Sequence, residues 1–239
     1  MVTMTFNGVS KSYFRVAKGE SRPASPAIDR KAYQIGNMNG VRIGRMRHGS
    51  RVLHIPFIIM FERMEDIQRI KEELAEWLIH EEAKRLTFSD EPNTIYIAHY
   101  TNGLESFTEE ESVLKGTLIM TCHDGVKHDL AETETSQLDF SYSGRPTGLI
   151  IEVNFTHATQ NFTLQHEQLN RTLRINWLFS AGDRLVIDTD RRKVTINGHV
   201  RMNAFDFTSR FFGLIAGRNT ITRSSENNTI LFRYRRKRL

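Results

Sequence analysis

One stretch of the sequence carries the residue types that a metal site needs. His123-Asp124 and His128-Asp129 bring together two imidazoles and two carboxylates. These groups are common ligands of zinc and other transition metals in proteins. The spacing, however, matches neither the HExxH motif nor a Cys/His finger, and the flanking residues are polar and aperiodic. We therefore interpret the stretch as a flexible connecting loop and predict no metal site.

A second candidate combines two carboxylates with a nearby tryptophan. Asp188-x-Asp190 resembles an acidic motif for metal and sugar binding, but apolar stretches flank it, and aspartate commonly forms turns in that setting. Trp177 could be a platform on which a sugar ring stacks. It also belongs to Leu173–Phe179, where every second residue is apolar, as on the buried face of a strand. The pattern favours a hairpin turn for the aspartates and a core position for Trp177.

The remaining candidates for a nucleophile or a phosphate loop lack the context that their chemistry requires. Cys122 precedes His123, but neighbours on a strand point to opposite faces, so the two cannot pair as thiol and base. Gly36, Gly40 and Gly44 are followed by no predicted helix, which argues against a phosphate-binding loop. We predict that the protein is not an enzyme and uses neither a cofactor nor a structural metal.

Composition places the chain among ordinary globular proteins. Of its 239 residues, 39% are hydrophobic and 26% are charged, which suffices for a core in each of two domains. The single cysteine excludes an internal disulfide framework and fits a protein made in a reducing cytosol. The N-terminus shows no signal-peptide pattern, and the longest apolar run, Ile55–Phe61, is too short to span a bilayer.

The net charge of +5 is concentrated at the C-terminus, where five of the last seven residues are basic. They follow directly from Thr229–Tyr234, which alternates like a strand. The segment could be a tail that binds nucleic acid. It could also be an edge strand whose arginines, Arg233, Arg235 and Arg236, pair with acidic residues of a neighbouring subunit. We favour the second interpretation because the basic run is short.

The first half of the chain combines short strands with one helix. Between about Arg63 and Leu86, apolar residues starting at Met64 recur at three- and four-residue steps, which predicts a helix with one buried stripe. Ala17–Lys31 has no periodicity and is predicted to be a loose arm, and Gly36–Gly40 a turn. The predicted strands are Thr3–Phe6, Val9–Val16, Val52–Met60, Thr94–Tyr100 and Leu114–Cys122.

The last third of the chain alternates short apolar segments with polar turns, which predicts an antiparallel β-sandwich. We place the boundary between the two halves in the polar segment His123–Gln137, giving domains at residues 1–130 and 138–239. The predicted strands of the sandwich are Gly148–Phe155, Asn161–His166, Thr172–Phe179, Arg184–Asp188, Lys193–Ile196 and Thr229–Tyr234.

A series of landmarks runs through the whole chain. They are Phe6-Asn7-Gly8, Gly36-x-x-Asn39-Gly40, Leu74-x-x-Trp77-Leu78, Leu86-x-Phe88-Ser89-Asp90-Glu91-Pro92, Gly144-x-Pro146, Gly182-Asp183, Gly217-x-Asn219-x-Ile221 and Phe232-x-Tyr234-Arg235. In this order they resemble the distal tail proteins of siphophages and related prophages. The chain departs from that family just after Cys122, where members often carry Asp-Pro and aromatic residues and this sequence has Asp124-Gly125.

The resemblance implies a mainly β fold with two kinds of domain. The N-terminal domain would be an α+β belt, with mixed β sheets and one long helix, and the C-terminal domain a galectin-like antiparallel β-sandwich. In that family the belts close a hexameric ring and the sandwiches lie on its outside. The structural positions that the motifs carry over are Gly36, Asn39, Gly40, Trp77, Asp90, Pro92, Gly217 and Asn219.

The resemblance also implies a place in the virion, at the tip of a phage tail. The ring would be a hub that connects the tail tube protein to the tail-associated lysin or baseplate and to receptor-binding proteins. DNA would pass through it without sequence-specific binding, and no membrane would be involved. The protein would be synthesised in the host bacterial cytoplasm. The alternative that stays open is a carbohydrate-binding module acting in host-surface attachment.

Overall fold

A computed structural model describes residues 2–63, 65–102, 108–110 and 112–239. The chain separates into two compact units, unit 1 reaching to Leu130 and unit 2 spanning Ala131–Arg238, each with a hydrophobic core of its own. Strands dominate both units, which confirms the mainly β fold class predicted from the sequence. Among the described residues, no helix has the length and apolar character to cross a membrane.

Unit 1 contains one α-helix and a series of antiparallel strands within its described part. Their bounds are β1 (Met4–Phe6), β2 (Phe14–Val16), β3 (Ile28–Tyr33), β4 (Arg42–His48), β5 (Arg51–Met60), α1 (Asp66–Leu78), β6 (Lys84–Phe88), β7 (Thr94–Tyr100), β8 (Thr108–Glu110), β9 (Val113–Cys122) and β10 (Lys127–Asp129). The main sheet has the order β1-β6-β7-β9-β5-β2, with β8 beside β9 and β10 beside β7. Strands β3 and β4 form a separate two-stranded hairpin.

The pair β5 and β9 forms the centre of unit 1. The two strands pair over their full length, from Arg51 opposite Cys122 to Met60 opposite Val113. Alternate residues of β5 are buried, as a strand with one core-facing side requires. The other face of β5 is partly open to solvent, and Met60 at its end is 72% exposed. One face of the β5–β9 pair therefore packs in the core, and the other face is partly exposed to solvent.

Helix α1 completes that core through the apolar stripe seen in the sequence. Ile67, Ile70, Leu74, Trp77 and Leu78 are buried in the same cluster as the inward face of β5. The Trp77 indole N–H donates a hydrogen bond to the Phe6 carbonyl oxygen at 3.1 Å. The Trp77 ring also meets Phe14 edge to face, with ring centroids 5.4 Å apart.

The helix is shorter than predicted. It ends at Leu78, because Ile79 takes an extended conformation (φ −90°, ψ 114°), whereas the sequence predicted a helix to Leu86. Leu86 lies on β6, where burial alternates with period two instead of following the helical stripe. Arg69 pairs with Asp66 and Glu73, at 3.0 and 2.9 Å. The first predicted stripe residue, Met64, lies outside the described residues.

Two segments predicted to be irregular contain paired backbone. His123–Gln137 was predicted to be a flexible linker, but β10 within it pairs with β7, placing His128 opposite Ile95. Likewise, residues 17–27 of the predicted arm lie along β5, with reciprocal backbone hydrogen bonds between Ser21 and His54 at 2.8 and 3.0 Å. Both predictions were wrong because polar edge segments pair through the backbone and show no apolar periodicity.

A buried arginine fixes the base of the β3–β4 hairpin. The Arg51 side chain is completely buried, and its guanidinium donates to the Pro23 carbonyl oxygen and, at 3.3 Å, to the Gly125 carbonyl oxygen. Gly125 has φ +67°, and a Cβ there would clash with the Gly49 carbonyl oxygen. Three distant segments meet at this point, and only glycine fits at position 125.

Unit 2 is built from two antiparallel sheets. The strands and the short 3₁₀ helix are β11 (Thr133–Thr135), β12 (Asp139–Tyr142), β13 (Ile150–Phe155), β14 (Thr159–His166), β15 (Arg171–Phe179), β16 (Arg184–Asp188), β17 (Lys193–Ile196), β18 (His199–Val200), Met202–Ala204, β19 (Gly217–Arg223), β20 (Asn228–Tyr234) and β21 (Lys237–Arg238). One sheet has the order β11-β20-β13-β16-β17-β18, and the other β12-β19-β14-β15.

The inward side chains of both sheets form a single aromatic-rich core, as a β-sandwich requires. Phe155 of the first sheet stacks on Phe179 of the second, with ring centroids 4.0 Å apart. Phe162 meets Phe155 edge to face at 5.3 Å. These contacts explain why the alternating apolar pattern of the last third of the sequence indicated a sandwich.

We predict that replacing Arg51 destabilises unit 1 in a graded manner. Arg51→Ala leaves two carbonyl oxygens without a donor and opens a void, so we expect a loss of about 2–4 kcal/mol in the free energy of unfolding. Arg51→Met fills the volume but restores no hydrogen bond, so a loss of about 1–2 kcal/mol is expected. Urea unfolding measures both, with Arg15→Ala at the exposed position of β2 as the control, expected within about 0.5 kcal/mol of the parent. Equal stability of the alanine variant and the parent would contradict this role of Arg51.

Candidate assembly surfaces

The candidate metal ligands and the candidate thiol nucleophile of the sequence make local structural contacts. The His128 ring contacts the Asp124 carboxylate at 2.7 Å, and no group of three or more His, Cys, Asp or Glu within the described ranges could hold a metal ion. Burial, assisted by the negative charge of Asp124, raises the pKa of the Cys122 thiol to about 12, which keeps it protonated and unreactive near neutral pH. Asp188 accepts a hydrogen bond from the Arg191 backbone N–H at 2.9 Å, as a turn-forming aspartate does.

Trp177 packs against the core of unit 2 but is only partly buried. The expected alternation holds at Leu173, Ile175 and Phe179, which are buried. The register between β14 and β15 shifts at a bulge between Gln160 and Phe162. This bulge lies opposite the part of β15 that contains Trp177. The Arg201 guanidinium lies 5.7 Å from the centre of the Trp177 ring. Trp177 is thus at the edge of the core and covered by a cation.

The first landmark turn lies at the tip of the β3–β4 hairpin. Gly36, Asn39 and Gly40 are exposed in the connection between the two strands, and Gly40 has φ +88°, which favours glycine. Together with Met38 and Val41, Asn39 and Gly40 line a shallow cavity of about 220 Å³. The turn is therefore exposed at the surface and contributes nothing to the core of unit 1.

The two strands of the hairpin are also exposed to solvent. Every residue of β3 is exposed, and so are most residues of β4. Between Ile28 and His48 the chain has five basic residues and one acidic residue. Large apolar side chains stand exposed beside them: Ile28, Tyr33, Ile35, Met38, Val41, Ile43 and Met46. We call this surface, residues 28–48, the hairpin surface.

The landmark residues Asp90 and Pro92 lie in the turn between β6 and β7, which is held by an arginine. Arg22 donates to Asp90 Oδ1 at 2.9 Å and to Glu20 Oε1 at 2.6 Å, and it stacks on Phe88 at 4.5 Å. The hydrogen bonds and positive charge of Arg22 lower the pKa of the Asp90 carboxyl. This cluster attaches residues 17–27 to the body of unit 1.

The landmark residue Asn219 is a polar centre in the interior of unit 2, and the landmark Gly217 is exposed two residues before it. Asn219 is fully buried, and its amide group donates to the carbonyl oxygens of Ile215 and Gly217, both at 2.9 Å. Its Oδ1 accepts from the Ile215 N–H at 3.0 Å and from the His166 Nε2–H at 3.0 Å. Gly217 has φ +98°, which favours glycine. Sequence analysis missed His166, whose burial follows the alternation of β14.

The C-terminal arginines differ in their availability. Arg233 and Arg184 both pair with Glu152, at 2.7 and 2.8 Å, and together they lower the pKa of the Glu152 carboxyl. Arg235 is half-buried and accepts a hydrogen bond through its carbonyl oxygen from Thr147 at 3.2 Å. Arg236 is exposed. The predicted edge strand is wrong, because β20 lies between β11 and β13 in its sheet. Pairing of Arg233, Arg235 and Arg236 with a neighbouring subunit stays a prediction, and Arg236 is the most accessible of the three.

Unit 2 also presents one aromatic side chain that sequence analysis missed. Phe207 is 94% exposed. The loop around it is fixed to β15, because the Asp206 N–H donates to the Arg174 carbonyl at 3.0 Å and the Arg210 N–H to the Thr172 carbonyl at 2.9 Å. Hydrogen bonds, first among them one from the Thr208 hydroxyl, lower the pKa of Asp206 to about 2.

Two family models match the chain, one on each unit. A model described as a phage tail protein RIFT-related domain matches residues 8–122. A model described as the C-terminal domain of a siphovirus-type tail component matches residues 143–237. The distal tail protein of Bacillus phage SPP1 is 28% identical over 240 residues, covering 96% of this chain and 94% of that protein.

Solved structures share the fold. The crystal structure of the SPP1 Dit protein, described as a paradigm of the hub adsorption apparatus in phages infecting Gram-positive bacteria, has a TM-score of 0.82 at 20% identity. That match covers 98% of this chain and 99% of the other. A chain of the phage P2 baseplate in its activated conformation with calcium has a TM-score of 0.57 at 7% identity, covering 100% and 97%.

We predict that Asn219 is essential to the stability of unit 2. Asn219→Ala leaves the buried His166 and Ile215 N–H groups without an acceptor, so a loss of about 2–4 kcal/mol is expected. Asn219→Asp keeps the acceptor but faces two carbonyl oxygens with a carboxylate, and should be at least as destabilising. Chemical unfolding followed by circular dichroism measures the change, with exposed Asn227→Ala as the matched control. The prediction is wrong if Asn219→Ala costs no more than the control.

Proposed function

Because the chain belongs to the siphophage distal tail protein family, we propose that it forms a hexameric ring at the distal end of a phage tail. The observation that carries this proposal is similarity along the full length, at 28% identity to a distal tail protein and with both units matched by phage tail models. The protein is a structural component of the virion and acts as a tail hub.

The physical features of the chain support a role in assembly. Among the described residues, no group of three or more His, Cys, Asp or Glu could hold a metal ion, and unit 1 has a surface that is both apolar and basic. A head-to-tail interface that closes under cyclic symmetry produces a ring from identical chains. In this proposal, unit 1 (residues 1–130) is the ring-forming belt and the sandwich (138–239) is a galectin-like domain on its outside.

The proposed partners are other proteins of the same tail. One side of the ring would bind the tail tube protein, and the other the tail-associated lysin or the baseplate with its receptor-binding proteins. The names of the relatives support this assignment, since one is described as a hub of the adsorption apparatus and another belongs to a baseplate. DNA would cross the ring without contacts to specific bases.

Ring formation is tested by measuring the mass of the purified protein. Light scattering after size exclusion should give six times the 27.7 kDa chain mass, or twelve times if two rings stack. Negative-stain images should show closed rings with a central opening. A monomer that persists at high micromolar concentration in low salt would contradict the proposal.

The division into two domains is tested by limited proteolysis. Glu132 is exposed just before β11, whereas Glu134 lies on β11, which pairs with β20, and Lys127 lies on the paired strand β10. A Glu-specific protease should therefore cut near residue 132 before trypsin cuts at Lys127, since paired strands resist cleavage. The products should be two stable fragments with lengths close to those of the units. A resistant fragment spanning residues 100–160 would contradict separate domains.

A further inference from the structure

The hairpin surface has the properties of a segment that another molecule covers. A two-stranded hairpin without a core is at best marginally stable in water, and this one also exposes seven large apolar side chains. Its basic residues Arg42, Arg45 and Arg47 are exposed and take part in no ion pair with the described residues of their own chain. An occupant must therefore offer both negative charge and apolar contact.

A surface with the opposite charge lies on the same unit, around α1. Between Glu62 and Glu82 the chain has eight acidic residues and three basic ones. Glu72 and Glu76 are exposed and lie four positions apart, on one face of the helix. Like charges at this spacing repel each other and weaken a helix by a few tenths of a kcal/mol. The repulsion between Glu72 and Glu76 therefore weakens the helix slightly in a free subunit, and a cation placed beside them would reduce it.

The same surface contains a cavity and exposed apolar groups. A cavity of about 230 Å³ beside α1 is lined by Glu73, Glu76, Trp77 and His80, together with Val9 and others. Two large apolar side chains flank the helix and are left open to solvent: Met60 is 72% and Ile79 61% exposed. We call this region, residues 65–82 with Val9 and Met60, the helix surface. It combines the two properties required of an occupant of the hairpin surface, negative charge and exposed apolar groups.

We propose that the hairpin surface of one subunit docks on the helix surface of the next copy of the chain. Charge complementarity and matching apolar groups select this occupant. The inference rests on the proposed ring, and it identifies the contact that would propagate it. Hairpin and helix surfaces are different patches of the same chain, so each subunit gives one and receives one. Such a heterologous contact repeats until the ring closes.

The test reverses the charge of each surface separately. Variant H carries Arg42→Glu, Arg45→Glu and Arg47→Glu, and variant A carries Glu72→Lys, Glu76→Lys and Glu81→Lys. Both sets are exposed, so circular dichroism and the melting temperature should show folded subunits. At a concentration where the parent forms rings only, we expect each variant to run as a monomer in light scattering. The matched control, Arg191→Glu, Arg192→Glu and Lys193→Glu at exposed positions of the turn into β17 and its first residue, should still form rings.

Mixing the two variants supplies the decisive measurement. An equimolar mixture of H and A places a reversed hairpin on a reversed helix and a native helix under a native hairpin, in alternation around the ring. We expect rings to return in this mixture, and also in a single chain that carries all six substitutions. Native mass spectrometry should then show three copies of each variant per ring.

The outcomes separate this inference from the proposed function. If the parent forms rings and variants H and A form them equally well, the docking assignment is overturned and the ring proposal stands. The assignment is also overturned if the H and A mixture assembles no better than either variant alone. A parent that stays monomeric would overturn the ring itself and, with it, the contact.

Discussion

The buried guanidinium of Arg51 is the interaction on which the arrangement of unit 1 depends. It lies at the first residue of the central strand β5 and donates to carbonyl oxygens from two remote segments, at Pro23 and Gly125. A buried cation is tolerated only where such acceptors converge on it. The same point is the base from which β3 and β4 project, with Gly49 close to Gly125. A hairpin without a core of its own has its direction set at this base, so a polar contact in the interior determines what the surface can reach.

The parts of the fold that the sequence predicted are those whose neighbours impose a periodic burial pattern. Strand β7 spans Thr94–Tyr100 in both the prediction and the structure, and the sandwich strands follow the predicted alternation closely. The end of helix α1 was predicted too late because the residues around Leu78 carry no local signal that ends a helix. The helix ends there because the following residues pair in the sheet as β6, which contains Leu86. Strands β10 and β11 are polar and pair through backbone groups, so no side-chain pattern announces them. Tertiary pairing decides such segments, and propensity does not.

The landmark residues divide into two physical classes. Trp77 and Asn219 are interior groups, one closing the core of unit 1 and the other satisfying buried polar groups of unit 2. Gly36, Asn39 and Gly40 are surface residues of the hairpin tip. Both sets stand out in the sequence only by their order, which does not distinguish interior residues from surface residues. The feature of the sequence that could have distinguished the surface set is the mixture of five basic and seven large apolar residues between Ile28 and His48, which is typical of neither a core strand nor an ordinary loop.

In the loop that carries Phe207, the exposed side chain takes no part in the contacts that hold the backbone. Hydrogen bonds on either side of it attach its backbone to β15, and almost none of the Phe207 side chain is buried. Substitution at this position therefore removes no core contact and leaves the loop geometry intact. A different residue at this position is therefore expected to cost little free energy of folding. Position 207 is in that sense an evolvable site on an otherwise constrained sandwich, where new surface chemistry can be sampled without endangering the fold.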